Sequence, residues 1–528
     1  MFLLRVSWSF VLLGLLSILS GVFAQNAKST STAPNHTTVL ILGGGMTGVI
    51  AARTLHEQGI DDFIILDAQA GVGGRMIPET FGVPGRQSVI ELGPNWVQGT
   101  QQGNGPVNPI WELALKHNLT TAYNDLYGSI TTYDDSGYND YLDVFNDAVN
   151  NFAQATVVVG PQLLNGDVDL SLRSAFGLMG ISPKTPQEVA SNYYQVDFAT
   201  NSFDYLLSDV DAQSPSQTSW IASAWNNNFT YVPEYGGFSD VNQMSIDKRG
   251  YKYIVEAEAA EFLQSQQVIY NQTVNLTEYG TDNVTVHTTG GLTITADHVL
   301  CTFSVGVLQN SDVAFQPPLP DWKVEAINSI EMATYTKIFL QFNETFWFPT
   351  EMGLYAAKQR GKYPVWQSLD HVGFFPGSNI IFVTVTGDWS LYVEQLTPEQ
   401  VQSQAVEVLQ TMFPNITVPE PIDFLMPLWH SNPLYRGSYS NWGPSYVPGQ
   451  SENLKATLNN RLWFAGEATS VKYFGFLQGA YFEGQSTGYA IAACVQGKGS
   501  CGFPSTTIPK NAQPYQSFLT APLTTPSP

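Results

Sequence analysis

The first residues whose spacing carries chemistry are three glycines, Gly43, Gly45 and Gly48, in G-x-G-x-x-G register, with an acid, Asp67, 19 residues beyond the last of them. Gly43 permits a tight turn, Gly45 lets backbone approach a pyrophosphate, and Gly48 lets a helix pack closely on a strand. Unpaired N–H groups at the start of that helix then face phosphate oxygens. A carboxylate at the end of the next strand accepts hydrogen bonds from ribose hydroxyls. The elements that must position these residues are in order: an apolar run from Thr38 to Leu42 suited to a strand buried on both faces, a helix ending at Gly59, and a second apolar strand, Phe63 to Leu66, ending in Asp67. Together they read as the start of a dinucleotide-binding βαβ unit.

A second candidate is Lys337 in ATYTKIFLQF, where strand alternation puts Tyr335, Lys337 and Phe339 on one face. A lysine flanked by aromatics on an apolar strand is either an edge residue with its ammonium in water or a buried group with work to do. Glu467, at the glycine turn of RLWFAGEAT before a helix around Gly479 to Cys494, reads as a helix cap or a ligand-binding carboxylate.

The chain of 528 residues is long enough for several domains. Its 12 Trp, 25 Tyr and 30 Phe match its 22 basic and 45 acidic residues one for one, which excludes a chain disordered as a whole or a coiled coil. A net charge of −23 without a basic stripe excludes a nucleic-acid partner. No metal-ligand cluster stands out. The start, MFLLRVSWSFVLLGLLSILSGVFA, has Arg5, an apolar run from Trp8 to Leu19 and small residues at Gly21 and Ala24. It reads as a secretory signal peptide over 1–24, too short in its apolar part to span a bilayer, so a secreted chain without a membrane anchor is expected. Sequons then become usable at Asn35, Asn118, Asn228, Asn271, Asn275, Asn283, Asn343 and Asn415, three of them on one expected hairpin. Cys494 and Cys501 are close enough to bridge, and Cys301 in DHVLCTFSVGVL reads as a buried thiol. The Pro-, Thr- and Ser-rich segment from 502 to 528 reads as a disordered tail.

Between these ends, residues from about 101 to 240 are rich in Asn, Asp, Tyr and Ser and hold no second nucleotide fingerprint, as in an inserted domain. Helical spacing runs from Lys252 to Gln267, strands alternate through VIYNQTVNLTEY and NVTVHTTGGLTITADHVLCTF, and a capping-type pattern at Thr397 opens another helix. The order of GGGMTG, GVGGRM, ELGPNWVQG, YTKIFLQF, RGSYSNWGP and FAGEATSVKYFGFLQGAYFEG, from about 38 to 501, resembles the flavin-containing amine oxidases, and within them the secreted polyamine oxidases of plants and fungi. The resemblance implies an α/β fold: a Rossmann-type FAD-binding domain (37–110, 240–320 and 430–501) with an inserted α+β substrate-binding domain (111–239 and 321–429).

It also implies roles. Gly43, Gly45, Gly48 and Asp67 would hold the ADP half of FAD, with Asp67 where the family usually has Glu. Arg75 would reach the pyrophosphate, the backbone of Pro94, Asn95 and Trp96 would line the isoalloxazine, Val274 the adenine, Trp429 the flavin ring and Glu467 the ribityl and phosphate region. Lys337 would hold a water against flavin N5 beside Tyr335, and Tyr439 and Phe476 would form an aromatic sandwich for an amine oxidised with O2 to an imine and hydrogen peroxide. Where the plant enzymes carry two acids for a distal substrate ammonium, this chain has Gln98 and Ala199, which favours a less charged amine. No His or Cys stands at an attachment point near Glu467, so FAD is expected to be non-covalent. Two alternatives stay open: an oxidase or desaturase of another substrate, with Arg436 or Arg173 recruited to an amino-acid carboxylate, and a flavin-binding protein without turnover.

Overall fold

Apolar runs near the start of the chain pair with runs more than 200 residues later. The strands Val268–Ile269, Phe63–Leu66, His36–Leu42, Thr293–Cys301, Val284–Thr288, Val274–Tyr279 and Ala314–Gln316 lie side by side in that order in an eight-stranded sheet, with Leu462–Phe464 also paired to Thr293–Cys301. The computed structural model describes residues 35–165, 169–180, 212–444 and 447–508. The leader, Ala199 and the tail beyond 508 lie outside the described residues. Around the glycine turn the strands run parallel: His36–Leu42 pairs with Phe63–Leu66 and with Thr293–Cys301, and Leu462–Phe464 extends the set. Parallel strands covered by helices are apolar along their whole length, and Phe63–Leu66 is buried at every position.

A second sheet of seven strands lies in the order Asp423–Leu425, Tyr335–Gln341, Ile380–Thr386, Val365–Ser368, Met352–Ala356, Ile130–Asp134 and Gly137–Tyr138. It is antiparallel except where Met352–Ala356 meets Ile130–Asp134. Its far face packs against the helix Pro398–Met412 through Ile338, Leu340, Ile381, Val383, Val401, Val408 and Leu409. Thr397 caps that helix: its Oγ1 accepts from Gln400 N–H at 3.3 Å while Gln400 Oε1 accepts from Thr397 N–H at 2.9 Å. A three-stranded sheet, Trp96–Gln98, Asn242–Ser245 and Thr121–Tyr123, packs against the seven-stranded sheet through Met244, Phe339 and Phe382.

The strands Val274–Tyr279 and Val284–Thr288 form a hairpin on which Asn271, Asn275 and Asn283 are all exposed. Cys494 and Cys501 are joined in a disulfide and Cys301 is buried, its thiol pushed up to about 12 by burial. The helical spacing from Lys252 resolves into a helix, Tyr253–Phe262, and a separate turn, Ser265–Gln267, because Leu263 adopts extended backbone between them. Gly502 to Ile508, read above as the start of the tail, is instead tied down: Phe503 N–H donates to Thr457 Oγ1 at 3.0 Å and Thr506 N–H to Asn453 Oδ1 at 2.7 Å. Among the described residues no helix is long and apolar enough to cross a membrane.

Candidate active site

Gly43 turns the chain with a φ of +107°, and a Cβ there would stand 2.5 Å from Thr302 Oγ1. At Gly48 a Cβ would stand 2.0 Å from Gly43 O. A side chain at either position breaks the turn that brings the strand His36–Leu42 into the helix Met46–Glu57. Gly45 precedes that helix without a side-chain cap, so its first N–H groups stay available to an anion. Asp67, 5 % exposed, accepts from Gly44 N–H at 2.5 Å through Oδ2 and from Gln69 N–H at 2.7 Å through Oδ1. Burial raises its pKa against the pull of those two N–H groups and of Lys252. Each oxygen keeps acceptor capacity for a further donor.

A cavity of about 550 Å³ opens from this turn, and the residues given cofactor, catalytic or substrate roles on the amine oxidase resemblance border it, except Gly48, which lies inside the turn, and Ala199, which is outside the described residues. Midway, Glu467 ties three segments together. Its Oε1 accepts from Arg75 Nη1 at 3.1 Å and Ser440 N–H at 3.2 Å, and its Oε2 from Ser440 Oγ at 2.5 Å and Gly475 N–H at 2.8 Å. Glu467 is therefore no cap of its own short helix. Arg75 Nη1 also donates to Ser438 O at 2.8 Å, leaving its other guanidinium N–H groups for a ligand. The indole of Trp429 borders the cavity, and its buried Nε1 has no hydrogen-bond partner among the described residues. A turn that admits no Cβ, a carboxylate at the next strand end, a guanidinium held midway and an unsatisfied indole donor together fit a dinucleotide carrying a flavin.

The far part of the cavity is built on the seven-stranded sheet. Lys337 is 2 % exposed and its Nζ donates to Glu91 O at 2.9 Å, Gly93 O at 2.6 Å and Asn95 Oδ1 at 2.8 Å, with the Trp96 ring centroid 5.2 Å away. It is not an edge lysine reaching water. Tyr335, two residues earlier on the same face, packs its ring 6.0 Å from that of Tyr439, and its hydroxyl accepts from Thr384 Oγ1 at 3.3 Å. Phe476 precedes the helix Leu477–Val495 and meets Tyr231 edge-on at 6.3 Å. Gln98 ends the strand Trp96–Gln98, half-buried. Arg436 is held by both oxygens of Asp312 at 2.7 Å, and neither Arg436 nor Arg173 borders the cavity, so among the described residues the one arginine on its lining is Arg75, beside Glu467.

Two buried groups escape a reading of the sequence. Glu91 stands behind Lys337, its Oε1 accepting from Tyr251 N–H at 2.6 Å and its Oε2 without a partner among the described residues. Burial pushes its carboxyl up to about 7, against the attraction of Lys337. Its signal was an acid inside the apolar run SVIEL. Gln367, on the strand Val365–Ser368, borders the cavity on the same sheet as Lys337; nothing in VWQSLD marks it.

Residues 46–492 match the family model described as flavin containing amine oxidoreductase. The chain is 32 % identical over 514 residues to polyamine oxidase 1 of Zea mays, covering 93 % of this chain and 97 % of that one. It is 33 % identical over 469 residues to polyamine oxidase 7 of Oryza sativa subsp. japonica, covering 84 % and 93 %. A solved structure of a putrescine oxidase double mutant, redesigned in its cofactor binding, superposes with a TM-score of 0.65 at 16 % identity, over 87 % of this chain and 99 % of that one; this last likeness is one of fold. The chain belongs to the flavin-containing amine oxidoreductases, is an amine oxidase of polyamine oxidase type, and has FAD as its cofactor.

Proposed function

We propose that this enzyme is a secreted oxidase of a polyamine or related amine, holding FAD non-covalently and releasing an aldehyde, an amine and hydrogen peroxide. The observation that carries this reading is the buried Lys337, set beside Tyr335 and Tyr439 in the same cavity as the Gly43–Asp67 turn. Gly43, Gly45, Gly48 and Asp67 hold the ADP half of the cofactor, Arg75 and Glu467 its phosphate and ribityl region, and Val274 its adenine. Pro94, Asn95, Trp96 and Trp429 flank its ring system. When bound, FAD supplies the acceptor for a hydride and the route by which two electrons reach O2.

The chain's own residues do the rest. Tyr335, Tyr439 and Phe476 make a wall that disfavours charge, so the amine reacts neutral, with the nitrogen lone pair that hydride loss requires; aromatic faces also attract the incoming cation. The three N–H donors of Lys337 Nζ go to Glu91 O, Gly93 O and Asn95 Oδ1, so the water that hydrolyses the imine takes the place of one of these acceptors while the other two keep the ammonium in position. That water adds to the carbon that lost hydride and the C–N bond breaks, giving aldehyde and free amine, while O2 gains two electrons and two protons. The absence of His and Cys from the cavity lining among the described residues supports a non-covalent cofactor. Exposed sequons at Asn271, Asn275, Asn283, Asn343 and Asn415 support a glycosylated, secreted chain.

The test is peroxide formation with spermine, N-acetylspermine, simple monoamines and L-amino acids. Turnover of at least one polyamine or monoamine, with none of the amino acids, is expected. Turnover confined to amino acids, or absent throughout, contradicts the reading. Release of yellow flavin on denaturation checks the non-covalent cofactor.

A further inference from the structure

The sheet face that carries Lys337 carries a buried amide side chain for which the reading above has no use. Lys337 stands opposite Thr384 and Thr384 opposite Val365; two residues along, Phe339 stands opposite Phe382 and Phe382 opposite Gln367. Residues two apart on a strand share a face, so Lys337, Phe382 and Gln367 belong to one face, and all three border the cavity. With strands about 4.8 Å apart and a rise of about 3.4 Å per residue, the Cα atoms of Lys337 and Gln367 are about 12 Å apart.

Gln367 is 1 % exposed, and its Oε1 is buried without a hydrogen-bond partner among the described residues. A chain of three groups decides which end of its amide is free. Glu351 Oε2 accepts from Asn124 Nδ2 at 2.5 Å and Asp125 N–H at 2.8 Å. That turns the nitrogen of Asn124 towards Glu351 and leaves its Oδ1 to accept from Trp96 Nε1 at 2.6 Å and Gln367 Nε2 at 3.5 Å. The other contact of Gln367 Nε2 is Met244 Sδ at 3.7 Å. The nitrogen end is thus directed at Asn124 and the oxygen end is unsatisfied, a state that buried amides avoid. The terminal torsion of glutamine is soft, so a modest turn presents Oε1 to a donor in the cavity and gives up only two long contacts.

We propose that Gln367 is a specificity-determining residue, its Oε1 accepting a hydrogen bond from an N–H or O–H group that the substrate carries about 10 Å along its chain from the carbon oxidised beside Lys337. This rests on the amine oxidase reading of the site and narrows its substrate class to long amines with a second donor, over plain alkylamines. The experiment compares 1,8-diaminooctane with octylamine, alike in length and different in the distal donor. Binding to the holoenzyme is read by perturbation of the flavin absorbance in wild type, Gln367→Met and Gln367→Glu, each checked for flavin content. Gln367→Met is expected to weaken the diamine roughly tenfold or more and octylamine less than about twofold. Gln367→Glu, the substitution closest in shape, is expected to favour the diamine over octylamine by more than wild type does. Equal changes for both ligands in Gln367→Met, or an unchanged ratio in Gln367→Glu, overturn the proposal. Failure of every amine to reduce the wild-type flavin anaerobically is a different result and sinks the functional reading instead.

Discussion

Two lysines of this protein are buried in nearly the same way. Lys323, 0 % exposed, donates through Nζ to the carbonyls of Asn453, Leu454 and Ala456 at 2.6 to 2.8 Å, with the Phe464 ring centroid 4.1 Å away. Lys337 also donates to three acceptors and also lies near aromatic rings. The difference lies in what those acceptors belong to. The partners of Lys323 are the closing carbonyls of the helix Pro448–Lys455, so it satisfies a helix end. The partners of Lys337 belong to the segment 91–95 that walls the cavity, and Lys337 borders that cavity while Lys323 does not. Burial and full hydrogen bonding therefore mark a fixed lysine; position on a cavity-facing sheet marks one placed for chemistry.

The comparison breaks most visibly through Lys337→Met, which should slow flavin reduction or reoxidation by about a hundredfold or more while FAD stays bound, as rapid-mixing absorbance would report. Lys323→Met should do the reverse. It leaves three helix-end carbonyls unsatisfied and should lower stability by about 2 to 4 kcal/mol, seen in thermal unfolding, with turnover at moderate temperature little changed. Glu91 sharpens the environment of Lys337 through pH. Its carboxyl would lose its proton near 4.5 in the unfolded chain and near 7 in the folded one. Between those values the folded protein binds more protons, so the Glu91 contribution to stability falls as pH rises, by up to about 3 kcal/mol once pH passes 7. Glu91→Gln should remove that part of the slope, seen as a smaller drop in unfolding temperature from pH 5 to 8 than in wild type.

The two ends of the cavity differ in how far the chain announces them. The glycine turn and Asp67 lie within thirty residues, and each residue type there has a local backbone reason, so the cofactor end and the α/β fold are legible in the sequence. The end holding Lys337 is assembled from segments near 91–98, 335–339, 365–367, 382–384, 439 and 476, and its geometry depends on strand register. Whether Lys337 reaches water depends on which strands flank Tyr335–Gln341, and alternation within one strand does not carry that. Gln367 is invisible, and Glu91 shows only as an acid in an apolar run, for the same reason: their burial and pairing are set by Asn124, Glu351 and Tyr251, far away in sequence. Composition likewise marked Gly502–Ile508 as tail, although Asn453 and Thr457 supply it with partners.

The most direct measurement sets the two lysine variants side by side: anaerobic reduction of the flavin by an accepted amine, then mixing with O2, in wild type, Lys337→Met and Lys323→Met at matched flavin content. The account predicts wild-type rates in Lys323→Met and a fall of about a hundredfold or more in one of the two half-reactions of Lys337→Met. Unchanged rates in Lys337→Met, or equal losses in both variants, would contradict it.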